Sequence, residues 1–128
     1  MFLRKISELK PFVTKDKSII REFFHPLHET SKTAPRNVTF SIALATVKLG
    51  KNTLKHLHAT SVEFYYITKG TGIIHLNSRK EVIEENTLIY IPAGTQHTVA
   101  NTGKDDLCIL CICQPPYTHE DTKVIDKG

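Results

Sequence analysis

The chain has 128 residues, of which 40% are hydrophobic and 23% charged, with 17 Lys and Arg against 13 Asp and Glu for a formal net charge of +4. That length fits one domain with a core large enough to do without disulfide staples, and the composition excludes a disordered chain. The basic excess is scattered: Lys5, Lys10, Lys15 and Lys17 sit near the N-terminus with no aromatic-interleaved stripe after them, so no nucleic-acid partner is expected.

Residues 1–17 read as an irregular arm or a short helical turn, and Met-Phe-Leu-Arg-Lys-Ile-Ser-Glu places charges where a signal peptide needs its apolar centre. From there the pattern is strands. The stretch Ile19–Phe24 is short, β-branched and aromatic, and 37–49 is a long run rich in Val, Thr and Ile. Shorter strands are expected at 54–58, 62–68, 72–77, 81–83, 87–91, 97–101 and 107–113. Lys69-Gly70-Thr71-Gly72 predicts a tight hairpin, Asn77-Ser78 and Glu85-Asn86 predict turns, and Pro92-Ala93-Gly94 predicts a sharp corner. Pro115-Pro116 ends the last strand, because proline cannot donate to a β-ladder. The remainder, 115–128, reads as a polar tail or an arm packed on a partner subunit. The whole is an all-β sandwich or barrel in one domain, 1–128, with its barrel core at 18–114.

Leu107 to Cys113 is the longest apolar run, far short of the roughly 18 residues a membrane span needs, and no membrane partner is expected. It also holds all three cysteines, Cys108, Cys111 and Cys113. Their odd count and tight spacing argue against a disulfide framework and for a reducing, cytoplasmic location. Strand alternation puts Cys111 and Cys113 on one face and Cys108 on the other, so the three do not converge on a second metal. Buried, inert thiols are expected, with one of the pair available to a pocket wall.

The chemistry lies between residues 50 and 101. Gly50 is followed after five residues by His56, then after one by His58, after four by Glu63 and after six by Gly70. Pro92, Gly94, His97 and Asn101 then follow at Pro-x-Gly-x-x-His-x-x-x-Asn spacing. On a strand, His56 and His58 at i and i+2 share a face. Three imidazoles and one carboxylate suit a divalent first-row metal: Fe, Mn, Ni, Co, Cu or Zn by ligand type. Histidine and glutamate buried in a barrel need partners to offset desolvation, and one shared cation serves all four.

These two segments resemble the paired motifs of the cupin superfamily. The first motif matches at every defined position. The second departs at one, where Asn86 stands in place of a glycine; Asn is the next-best residue for a left-handed turn. The flanks Ile20-Arg21-Glu22, Cys111-Ile112-Cys113-Gln114-Pro115-Pro116-Tyr117 and His119-Glu120-Asp121-Thr122 are similar to a group of short bacterial and archaeal cupins. The resemblance implies a double-stranded β-helix, or jelly-roll, barrel with His56, His58, Glu63 and His97 as metal ligands at its mouth. It also implies a homodimer formed through an N-terminal strand added to the neighbour's sheet, for which Ile19–Phe24 is suitable.

Other residues carry weaker signals. Tyr65 follows Glu63 by two and faces the same side, as a catalytic or ligand-orienting group beside Glu63 or as a barrel-lining aromatic. Arg21 is placed to hold an anion or to pair on the surface with Glu22. His119-Glu120-Asp121 reads as solvated tail, His25 and His28 around Pro26 as surface residues, and His75 as free to face either way. The functional expectation is a metal-dependent cupin enzyme acting on a small molecule, with oxygenase-type chemistry first and isomerase or lyase chemistry second. The alternative is a non-catalytic binding or sensing cupin. Sugar-phosphate isomerisation of the metal-free kind is disfavoured, because the complete ligand set is present.

Overall fold

The computed structural model describes residues 1–125. Two antiparallel sheets face each other. The six-stranded sheet has the order β1 (Phe12–Val13), β2 (Ile19–Phe24), β3 (Ser41–Val47), β10 (Leu107–Gln114), β5 (Val62–Lys69), β8 (Leu88–Ile91). The five-stranded sheet has the order β11 (Thr122–Val124), β4 (His56–His58), β9 (His97–Asn101), β6 (Gly72–Leu76), β7 (Arg79–Ile83). From β3 onward the chain passes back and forth between the sheets, apart from the β6–β7 pair, and so builds the jelly-roll barrel. No helix among the described residues is long and apolar enough to cross a membrane.

The strand expectations hold with boundary shifts. Two strands, Ile19–Phe24 and His97–Asn101, coincide with the elements observed, and the long 37–49 run contracts to Ser41–Val47. The sheets extend past 18–114 at both ends, because Phe12–Val13 pairs with β2 and Thr122–Val124 pairs with β4. The C-terminal stretch is therefore not a loose polar tail: Thr122–Val124 is a strand of the second sheet, and 126–128 lie outside the described residues. Within its own chain β2 lies between β1 and β3.

The turn at Lys69–Gly72 corrects an expectation. It joins β5 to β6, which lie in different sheets, so it is a corner between sheets and not a hairpin. Gly70 has φ +90°, and a Cβ there would lie 2.7 Å from the Asp106 carbonyl oxygen; both facts demand glycine. The asparagine that replaces the motif glycine behaves as expected, with Asn86 at φ 64°.

The inward side chains change character along each strand. On β10 they run Leu107, Ile109, Cys111, Cys113; on β3, Val47, Ala45, Ala43, Ser41; on β5, Ile67, Tyr65, Glu63. Leu107 faces Val47, Ile109 faces both Ala45 and Ile67, Cys111 faces Ala43 and Tyr65, and Cys113 faces Ser41 and Glu63. One end of the barrel is therefore a dry core of Ile67, Ile74, Ile83 and Leu107. At the other end polar side chains point inward and small ones on β3 leave a gap. Position along the strand, more than position in the sequence, separates core from site.

Candidate metal centre

β4 and β9 present the three histidines. His56 and His58 share the inner face of β4, and His97 pairs directly with His56 across the ladder. All three are buried, at 2%, 5% and 1% exposure. Each offers a ring nitrogen within 4.8 Å of the others. Glu63 reaches the same point from the opposite sheet: its Oε1 lies 3.1 Å from His58 Nε2 and 3.5 Å from His97 Nε2.

The second nitrogen of each ring decides what the cluster can bind. His56 Nδ1 is 2.8 Å from the Leu54 carbonyl oxygen and His97 Nδ1 is 2.9 Å from that of Thr95. A carbonyl only accepts, so both rings carry their proton on Nδ1. His58 Nδ1 is 3.1 Å from Thr122 Oγ1, whose own hydrogen goes to the Thr118 carbonyl at 2.9 Å, so this ring also donates from Nδ1. All three neutral rings thus aim bare Nε2 lone pairs at one point. Glu63 Oε1 and His97 Nε2 are buried there with no hydrogen-bond partner. A cluster of acceptors without a donor is costly to bury unless a cation joins it. The donor set therefore fits a divalent metal ion, held by His56, His58 and His97.

Protonation behaves accordingly. Burial, then the neighbouring His97, pulls the His56 ring below its usual value. For His58 burial pulls the same way, but the adjacent Glu63 carboxylate outweighs it and the ring is raised. Burial opposes ionisation of Glu63, yet His58 and His97 hold its carboxyl well below the usual carboxylate range.

Around these residues the wall is built from distant parts of the chain. Cys113, opposite Glu63 on β10, donates its thiol to Glu63 Oε2 at 3.2 Å, which leaves Oε1 for the histidines. Burial first, and then Glu63, push the Cys113 thiol far up, so it stays protonated. Both Cys111 and Cys113, the pair expected to share a face, line the cavity, and Cys108 does not. Tyr65 does face the side of Glu63, but it is packed into the core with its ring edge-on to His97 at 5.9 Å and is not part of the cavity wall.

Four further residues lie outside the two ligand-bearing motifs. Asp16 is 8% exposed in the turn between β1 and β2, and its Oδ2 lies 3.4 Å from His56 Nε2. Thr122 orients His58. Tyr117 sets its ring edge-on to His58 at 5.8 Å. Asp121 accepts from Thr60 N and Oγ1 and from Ser61 N at 2.8–3.1 Å, which clamps the C-terminal segment to the loop after β4. The closely spaced Thr14, Asp16 and Ser18 suggest a side-chain-supported turn, but nothing local says that this turn docks beside His56. It does so because Leu54 N–H donates to the Asp16 carbonyl at 2.7 Å.

The remaining histidines separate cleanly. His25 is not a surface residue: at 1% exposure it donates from Nε2 to the Tyr117 carbonyl at 2.7 Å and accepts from Leu27 N–H at Nδ1, so both nitrogens serve the fold. His28 is exposed, stacked on His25 and paired with Glu22. His75 alternates with the core residue Ile74 and so points out of the barrel. Arg21 sits between Ile20 and Glu22, which line the cavity, and therefore faces away from it. His119 and Glu120 are exposed.

The family model for the cupin domain matches residues 43–113, more than half of the chain. The chain belongs to the cupin family. It is 43% identical over 119 residues to an uncharacterized protein of Methanocaldococcus jannaschii, covering 93% of this chain and 90% of that one. It is 31% identical over 85 residues to an oxalate-binding protein of Thermotoga maritima, covering 66% of this cupin and 70% of that protein. Among solved structures, a cupin 2 conserved barrel domain protein of Salinispora arenicola superposes with a TM-score of 0.71 over 89% of this chain and 88% of that one, at 16% identity. That last likeness is one of fold.

Proposed function

We propose that this cupin is a metal-dependent enzyme acting on a small molecule, with oxygenase-type chemistry as the first reaction class and isomerase or lyase chemistry as the second. One observation carries the reading: three bare Nε2 lone pairs and the unpartnered Glu63 Oε1 converge, buried, beside a cavity that His56, His58 and Glu63 line. His56, His58, His97 and Glu63 are the ligands in this reading. A divalent first-row ion supplies Lewis acidity or a redox centre when bound there.

The chain's own residues do the rest. The Leu54, Thr95 and Thr122 acceptors fix the ring orientations, and Cys113 fixes which oxygen Glu63 presents. Tyr65 acts as a positioning residue, holding the His97 ring by edge contact. Ile20, Ala43 and Ala45 give the cavity an apolar side that displaces water from the reacting end.

The test is elemental analysis of freshly purified protein, prepared both aerobically and anaerobically, with thermal melts on metal addition. Close to one metal per chain and a raised melting temperature are expected. Less than about 0.1 metal per chain with no thermal shift sinks the reading, since a specific ligand must stabilise the folded state by mass action. A binding rather than catalytic role is the second reading, favoured by the relative named for oxalate binding. Bound small molecules that survive oxygen exposure with no bond changed decide for it.

A further inference from the structure

The cavity beside the histidines has a charge pattern that neither the metal motif nor the family explains. Among the described residues its wall contains three carboxylates, those of Asp16, Glu22 and Glu63, and no lysine or arginine. Two basic residues are committed elsewhere: Lys15 Nζ donates to the His119 and Thr122 carbonyls at 3.0 and 2.9 Å, and Arg4 pairs with Glu29 at 2.8 Å. Arg21, the one arginine on a cavity-lining strand, faces outward.

Asp16 is held in a definite pose. Its Oδ1 accepts from Thr14 Oγ1, Ser18 N and Ser18 Oγ at 2.6, 3.0 and 2.7 Å. This uses up one carboxylate oxygen and fixes the other. Oδ2 makes no hydrogen bond and is aimed at the histidine end of the cavity, where its neighbour His56 Nε2 is itself an acceptor. A carboxylate oxygen that faces the cavity from a buried residue, with no donor among the described residues, calls for one from whatever fills the cavity. The free volume is about 60 Å³, where one water takes roughly 10–15 Å³, so the occupant is small.

Resting on the metal-dependent reading above, we propose that this acid-lined wall, with Asp16 as its acceptor, selects a small uncharged or cationic ligand that donates an N–H or O–H to Asp16 while it sits at the metal, and disfavours dianions. Asp16 is then a specificity-determining residue outside both metal motifs. A dianion meets one divalent charge against Glu63 and Asp16 at close range, with Glu22 behind them, in a site where charge interactions are weakly screened. Removing the Asp16 charge relieves the repulsion. It also removes the fixed acceptor.

An isosteric series tests this directly: oxalate (two negative charges), oxamate (one) and oxamide (none), titrated into the cobalt-loaded protein and followed by its visible spectrum. The wild-type protein is expected to bind oxamide more tightly than oxalate. Asp16→Asn is expected to raise oxalate affinity about 10-fold and lower oxamide affinity about 10-fold, with cobalt affinity changed by less than about 3-fold. Glu22→Gln, remote from the metal ligands, is expected to move oxalate the same way by a smaller factor, and it stands in if Asp16→Asn does not fold. Oxalate bound more tightly than oxamide by the wild type, or binding of neither probe, overturns the proposal. So does an oxalate affinity indifferent to both substitutions. A loss of cobalt affinity beyond about 100-fold in Asp16→Asn, more than losing a supporting partner costs, also overturns it, by making Asp16 a metal ligand. Failure of the wild type to take up cobalt is a different result, and it removes the metal reading itself.

Discussion

The barrel mouth has two halves built by different means. The proposed ligand half, His56, His58, Glu63 and His97, comes from three strands within about forty residues of sequence, and spacing on a strand sets its geometry. The supporting half, Asp16, Cys113, Tyr117 and Thr122, comes from both ends of the chain and reaches the site only through tertiary hydrogen bonds. Lys15 joins the two terminal segments by donating to the His119 and Thr122 carbonyls. The first half defines what kind of ion fits; the second fixes ring tautomers and the charge the ligand meets. Experiments that damage one half at a time should separate affinity for the metal from the quality of its surroundings.

The largest effect is expected from His97→Ala. His97 Nε2 is buried without a partner and its ring contacts both other histidines and Tyr65. Its removal deletes a donor and leaves Glu63 Oε1 exposed to a void. Cobalt or zinc affinity, measured by competition with a chromophoric chelator, should fall by more than the roughly 10–100-fold typical of losing a supporting partner. The melting temperature of the metal-free protein should fall far less, because the removed ring also took an unsatisfied nitrogen out of the interior.

Thr122→Val attacks the other half. The change keeps the shape and removes the acceptor that holds His58 Nδ1–H, while the Thr118 carbonyl loses its donor. His58 is then free to place its proton on Nε2, where it competes with the ion. Metal affinity should drop about 10–100-fold. A Thr122→Ser variant keeps the hydroxyl and should restore most of it. If Thr122→Val binds metal as well as the wild type, the tautomer is not set by this contact.

The contrast between the halves also explains what was legible in the sequence. Periodicity located most strands because apolar alternation and turn residues are local. The donor set was legible because residues at i and i+2 on a strand must share a face. Where the sheets part was not legible: the Lys69–Gly72 turn has hairpin chemistry, but which strands pair is decided by the whole barrel, and here it became a corner. His25 was misplaced for the same reason. A histidine beside a proline in a polar loop reads as exposed, and only the Tyr117 carbonyl, 92 residues away, makes it buried. Polar terminal residues carry no hydrophobic pattern, so Asp16 and Thr122 gave no sign of their roles although both are buried.

The smallest effect belongs to the clasp that keeps the C-terminal strand in place. Burial opposes ionisation of Asp121, but the hydrogen bonds from Thr60 and Ser61 outweigh it and hold its carboxyl below the usual value of 3.8. A carboxyl depressed in the folded state contributes stability that is fully present above its unfolded value and is lost as pH falls through the folded one. The clasp should therefore be constant across neutral pH and weaken only in acid below about pH 4. Asp121→Asn removes the charge at all pH values. Because Asp121 is partly solvated, the cost is about 1 kcal/mol, or about 4 °C in melting temperature. Hydrogen exchange should show the loss concentrated in β11 and the loop at 59–61, with β9 unchanged. If exchange in β9 rises equally, the two halves open together, and the supporting half is not a separable layer laid over the ligand half.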